Sequence, residues 1–203
     1  TESTAKFNKK FTYAVLKRDN PELFEANKGF KGTILSQNAY DTVMFAANAV
    51  KATSAYKWIQ DNNPQGQTVL TGEIGGVKVK GKLDWLNIIE EDGKRIGVIT
   101  DLKTTTNLHP TKYYYHVLDF RYDVQMAMYR ELVRQTFLVD EVICQHLVVT
   151  KNDWPTVASF KFDESLLRKG EASIDHAIRG IVEKNFDEKD VDWDNAFELE
   201  VKE

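Results

Sequence analysis

At 203 residues the chain is long enough to bury a sizeable core, and residues 1–203 are expected to form a single domain. Its hydrophobic content of 42% and charged content of 29% fit an ordinary soluble globular protein, with no apolar run of membrane-spanning length. The formal net charge of -4 argues against a protein that coats nucleic acid at large, and the single cysteine, Cys144, excludes an internal disulfide and a cysteine zinc cluster. No secretory signal opens the chain, so a cytoplasmic location is expected. The first residue is Thr1 rather than Met, as in a trimmed or excised piece of a longer protein.

Residues 6–18 show helical spacing, with Phe7, Phe11, Ala14 and Val15 on one side. Asn20-Pro21 ends that pattern and can open a short helix through Phe24. Lys28 to Gly32 reads as a loop. Ser36 then reads as the N-cap of one long helix to about Asp61, with Tyr40, Val43, Met44, Ala47, Ser54 and Trp58 on one face. Strands follow over Thr68 to Ile74, Val77 to Ile89 and Arg95 to Lys103, joined by tight turns at Gly75-Gly76 and Glu91 to Lys94. Residues 104–120 are a loop or short helix containing Tyr113, Tyr114, Tyr115 and His116. A helix is predicted from about Phe120 to Phe137, buried strands over Glu141 to Thr150 and Val157 to Phe162, and a last helix over Ser165 to Lys184 with Leu167, Ile174, Ile178 and Ile181 on one side. Trp193 and Phe197 are expected to pack the tail back onto the body. Helix, three strands, helix and strand in that order predict a mixed α/β sheet flanked by helices.

The stretch from Glu73 to Lys103 carries the chemistry. Asp84 ends one strand-like run, Asp101 another, and Lys103 lies two residues past the second acid. Residues i and i+2 of a strand share a face, so Asp101 and Lys103 project together, and a hairpin brings Asp84 beside them. Two carboxylates and a lysine at one end of a sheet can hold a divalent cation and polarise a phosphate. The Leu102 carbonyl suits the same hard cation, and Lys103 is placed to orient the attacking water and offset phosphate charge. Tyr122, Gln125 and Tyr129, at i, i+3 and i+7, share one helix face. Gln125 could reach a phosphate or base edge. Tyr129 could brace Lys103 or the DNA backbone, or simply fill core. Thr104 and Thr105 offer hydroxyls and amides to phosphate, or are a plain strand exit. Lys78-Lys80-Lys82 forms a local basic patch, as do Lys6-Lys9-Lys10 and Lys112, unless these are solvated surface. There is no phosphate-binding Gly-rich loop and no G-x-S-x-G elbow, and Cys144 lies in an apolar strand pattern that suits core.

The sequence Gly81-Lys82-Leu83-Asp84, then Asp101-Leu102-Lys103-Thr104-Thr105, then Tyr122 to Tyr129 with Gln125-x-x-x-Tyr129, resembles the PD-(D/E)XK nuclease superfamily. Within it the match over residues 70–150 looks most like the RecB-like branch and the phage-type exonucleases related to exonuclease VIII (RecE). The resemblance implies a restriction-endonuclease-like core and a magnesium-dependent exonuclease, with manganese as an alternative ion. Asp84, Asp101, Lys103, Gln125 and Tyr129 would then be catalytic, and Asp84, Asp101, Leu102 and Glu73 would hold metal. Thr104, Thr105, Tyr122 and Gln125 would meet nucleic acid. It also implies double-stranded DNA with an end as substrate, a single-strand annealing protein as partner, a ring-shaped homo-oligomer, and a bacterial or phage-infected cell. One departure stands out. Relatives of this branch often carry a metal-binding histidine on the first core helix, and residues 37–60 contain none. That departure favours the alternative of a catalytically weak nuclease-fold protein that binds DNA or a recombination partner. A small-molecule metalloenzyme is a third class with no specific support.

Overall fold

The computed structural model describes residues 21–26 and 37–184. Five strands form one sheet in the order β1 (Gln65–Ile74), β2 (Val77–Glu91), β3 (Lys94–Thr105), β4 (Glu141–Thr150) and β5 (Val157–Lys161). Neighbours run antiparallel except β3 and β4, which are parallel. A parallel pair needs a long crossover, supplied here by α4 (Pro110–Asp119) and α5 (Tyr122–Thr136). The remaining helices are α1 (Pro21–Ala26), α2 (Gln37–Lys51), α3 (Ser54–Asp61) and α6 (Glu164–Lys184). The expected mixed sheet flanked by helices is therefore the observed fold. Expectations for residues 6–18, 28–32, Ser36, Trp193 and Phe197 lie outside the described residues.

The single long helix expected to reach Asp61 is two helices. Thr53 adopts an extended backbone, and its hydroxyl accepts from the Tyr56 amide at 3.1 Å, so it caps α3 rather than continuing α2. The break changes which residues face inward. Val50 and Ile59, with Ala46, Ala55 and Tyr56, pack on Leu147, Val149 and Trp85, while Tyr40 and Val43 of the predicted face are exposed. Buried Asn87 on β2 donates to the carbonyls of Ile59 (2.8 Å) and Asn62 (3.0 Å), fastening the end of α3 to the sheet.

On the other sheet face, α5 sets Met126, Tyr129, Leu132 and Val133 against Leu70, Leu83, Leu86 and Ile99. Close approach depends on Gly81, where a Cβ would lie 2.7 Å from the Tyr129 ring. α6 packs outside α5 at Gly170, which leaves room for the Asp123 carbonyl. Buried Arg130 adds paired contacts to Glu164 (2.8 Å) and Glu171 (2.5 Å). The β2–β3 turn is made by Asp92 and Gly93, both at positive φ, as the right-handed twist of a two-residue hairpin requires.

Regular pairing fails at one place. The β2–β3 ladder ends at Trp85↔Thr100; one more step in that register would pair Asp84 with Asp101. The β1–β2 ladder also skips a rung there, because Gln67, opposite Asp84, adopts a left-handed φ of 53°. The alternation of β2 slips at the same point. Val79, Gly81 and Leu83 face α5, and so do Leu86 and Ile88, whereas Trp85 packs against α3. The strands fork at Asp84 and Asp101.

Candidate active site

Asp101 and Lys103 share the α5 face of β3, as their spacing predicts. The Asp101 carboxylate is 4% exposed. Its Oδ2 lies 2.5 Å from the Lys103 ammonium in an ion pair. Burial raises the Asp101 carboxyl above its ordinary pKa; the Lys103 hydrogen bond and charge oppose this, and the nearby Asp84 charge adds to it.

Lys103 is held on three sides. Besides Asp101, its ammonium donates to Gln125 Oε1 at 3.0 Å and sits 4.4 Å from the centre of the Tyr122 ring, a cation–π distance. Gln125 Nε2 donates to the Tyr129 hydroxyl at 3.1 Å, which donates to the Lys82 carbonyl at 2.8 Å. An ammonium can only donate, so this chain also fixes which way the Gln125 amide points. The Gln-x-x-x-Tyr spacing of α5 thus becomes a brace running from β2 to Lys103. Tyr129 is 6% exposed and is linked to Lys103 through Gln125. Its phenol is raised in pKa by burial, an effect the Gln125 bond partly offsets.

Asp84 occupies the fork. Its Oδ2 accepts from the Leu102 amide at 2.9 Å, replacing the ladder bond that β2 no longer supplies, and its Oδ1 accepts from Gln67 Nε2 at 3.0 Å. The amide and carbonyl of one strand residue point to the same side, so the Leu102 carbonyl also faces the Asp84 side of β3. Two carboxylates against one ammonium leave a net negative charge. Among the described residues no group of three or more His, Cys, Asp or Glu side chains is placed to hold a metal. The donor set is two carboxylates and a backbone carbonyl, all oxygen, with the buried Asp101 Oδ2 met by the Lys103 ammonium. That set fits a hard divalent cation and does not fit a zinc cluster.

Three expected site residues do not join Asp101 and Lys103. Glu73 pairs with Lys78, six residues along β2 from Asp84, or about 20 Å at strand rise, and it is exposed. The edge strand runs past the fork, and its acid belongs to the far end of the hairpin. Thr105 is buried, and its hydroxyl pairs with the Asn107 backbone in the turn after β3, so it is not offered to nucleic acid. Thr104 is exposed but alternates to the face opposite Lys103. Of the tyrosine run, Tyr113 is buried while Tyr114 and Tyr115 are exposed.

Neither Gln67 nor His146 is picked out by the spacing of the site residues. His146 is Asp101's partner across the parallel β3–β4 ladder and is fully buried. The Tyr113 hydroxyl and the His146 Nδ1 share a hydrogen bond of 2.7 Å, and the His146 ring stands edge-on to Tyr122 at 5.2 Å, so it backs the residue that carries Lys103. Burial, then the Lys103 charge, push the His146 pKa down to about 3, so it is neutral near pH 7. Histidine is uncommon within an apolar strand run such as Val142 to Val149, and that was the available signal. Cys144 is core as read, its thiol pushed up to about 12 by burial.

Among the described residues no helix is long and apolar enough to cross a membrane. No curated protein sequence matches the chain. Among solved structures it is similar to an Eubacterium rectale protein described as a "putative exonuclease", with TM-score 0.57 and 19% identity over 86% of this chain. The chain spans 63% of that protein's length. SSO0001 aligns over 81% of this chain and 70% of its own at TM-score 0.37 and 14% identity, too low a likeness to bear on the fold. A family model described as "PDDEXK-like domain of unknown function (DUF3799)" matches residues 2–189. By that match, over a sheet whose fork joins Asp84 to Asp101-Leu102-Lys103, the chain belongs to the PDDEXK-like DUF3799 family.

Proposed function

We propose that this chain, as one domain, is a metal-dependent deoxyribonuclease that hydrolyses phosphodiester bonds. Its finer assignment is an exonuclease of the phage recombination type, resembling the exonuclease VIII (RecE) group. The observation that carries this reading is the ammonium of Lys103, fixed by Asp101, Gln125 and Tyr122 beside the Asp84 fork. Magnesium, or manganese, would be held by Asp84, Asp101 and the Leu102 carbonyl. When bound, such an ion supplies a Lewis acid for the phosphate and lowers the pKa of water. Lys103 adds a cation whose position is set before substrate arrives, which is what makes electrostatic stabilisation of a developing phosphorane effective. In the hydrolysis, a water oxygen bonds to phosphorus and gives up a proton, the bridging P–O bond breaks, and the leaving oxygen takes up a proton in turn, so the proton count closes. The proposed substrate is double-stranded DNA with an end. A single-strand annealing protein and a ring of copies are the proposed partners.

A second reading, a nuclease-fold protein that binds DNA with little turnover, draws on the absence of a third acidic or histidine side chain at the site among the described residues. One experiment separates the two. Linear and closed circular duplexes are incubated with magnesium, with manganese and with chelator, for the parent and for Asp84→Ala and Asp101→Ala. The proposal expects metal-dependent loss of linear DNA by the parent and none by either folded variant. Near-parental cleavage by either variant would sink the site assignment, and an inert parent would leave the binding reading.

A further inference from the structure

The slip at Asp84 separates the side chains of β2 into two sets. Val79, Gly81 and Leu83 turn to α5, so Lys78, Lys80 and Lys82 turn to the opposite face. All three are exposed. Across the β1–β2 ladder they face Glu73, Thr71 and Val69, and Val69 is 60% exposed. Among the described residues none forms an ion pair with any of the three ammonium groups. The same open face continues past the fork at Leu102 and Thr104, both exposed. A chain with a net charge of -4 thus concentrates three unpaired cations on one strand, ending two residues before Asp84.

We infer that this lysine row is a phosphate track for one strand of the DNA whose other contacts are in the fork. The inference rests on the nuclease reading for the identity of its ligand. Its warrant is charge complementarity with a matching repeat. Ammonium groups on alternate residues of a strand recur at about 6.6 Å, comparable to successive phosphates on an extended polynucleotide. Exposed Val69 beside Lys82 offers an apolar surface to a sugar or base. An acidic protein segment is the competing occupant, and evenly spaced cations suit the fixed phosphate repeat of a polynucleotide better than the irregular spacing of acidic side chains.

The test compares the parent, the triple variant Lys78→Gln/Lys80→Gln/Lys82→Gln and the single variant Thr71→Lys. Thr71 faces Lys80 across the ladder, so its replacement adds a cation to the track without touching the core. DNA affinity is measured in calcium over a series of salt concentrations, and hydrolysis of bis(p-nitrophenyl) phosphate is measured with magnesium or manganese. Three lost phosphate contacts should flatten the slope of log affinity against log salt by about 2 to 3, and the added lysine should steepen it by nearly 1. Hydrolysis of the small diester should stay unchanged, since it cannot reach the row. Equal slopes in all three proteins would overturn the track. If the parent turns over neither DNA nor the small diester but the slopes shift as expected, the nuclease reading fails and the track stands. If turnover is intact and the slopes do not move, the track fails alone.

Discussion

Lys103 is the residue on which binding and chemistry separate. Removing its side chain leaves both carboxylates and the Leu102 carbonyl, so ion binding should persist. On the proposed mechanism, what disappears is a cation fixed beside the scissile phosphate, an effect worth about 10² to 10³ in rate. Lys103→Ala should therefore lower DNA turnover by that factor while DNA binding in calcium stays near the parent's, since one contact is a small share of the interface. Parallel cleavage and binding titrations at one salt concentration check this, and a fully active variant would remove the proposed role. The placement of Asp84, Asp101 and Lys103 at one fork was legible in the sequence because an acid and an acid-x-lysine pair fall at the ends of neighbouring strand patterns. Gln67 was not, since its contact with Asp84 depends on a left-handed backbone angle that no spacing announces. Glu73 was misread for a related reason: nearness to the hairpin in sequence says nothing about which end of a ten-residue strand an acid occupies.

Among elements, α5 does most to set the site, and its depth on the sheet is set by glycine. Gly81→Ala would press a methyl group against the Tyr129 ring, pushing the phenol off the Lys82 carbonyl and loosening Gln125 and Lys103 behind it. Overpacking of this kind costs about 1–3 kcal/mol. The expected result is a lower denaturation midpoint together with reduced turnover. Unchanged turnover in a destabilised variant would show that the brace does not govern Lys103. The strands and α5 were readable from their periodicity. The break between α2 and α3 was not, because Ser54 and Trp58 continue a plausible face and a Thr cap differs from a mid-helix Thr only by backbone angle. The slip in β2 was hidden too. Leu83, Trp85, Leu86 and Ile88 are apolar on both phases, so the pattern itself allows either register.

At the scale of the molecule, a row of buried and half-buried side chains links α4, β4, α5 and β3: Tyr113, His146, Tyr122 and Lys103. His146 titrates at about 3 in the fold against 6.5 in an open chain. Between those values the unfolded state binds more protons, so stability rises with pH; it is fully present above 6.5 and is lost as pH falls toward 3. The parent should lose stability on the order of a few kcal/mol between pH 7 and pH 4 from this group alone. His146→Gln should begin less stable at pH 7 but show a flatter acid limb in thermal melts. Parallel limbs for the two proteins would mean that His146 does not stay neutral inside.

One bond in the fork gives the molecule a natural probe. The Leu102 amide is held by a carboxylate of Asp84 rather than by a neighbouring strand's carbonyl. Its magnetic resonance frequency and its rate of solvent exchange therefore follow where that carboxylate's charge is directed. Anything that recruits Asp84 elsewhere changes this one signal, while amides farther down the β3–β4 ladder, such as that of Ile143 beside Val98, serve as a silent reference.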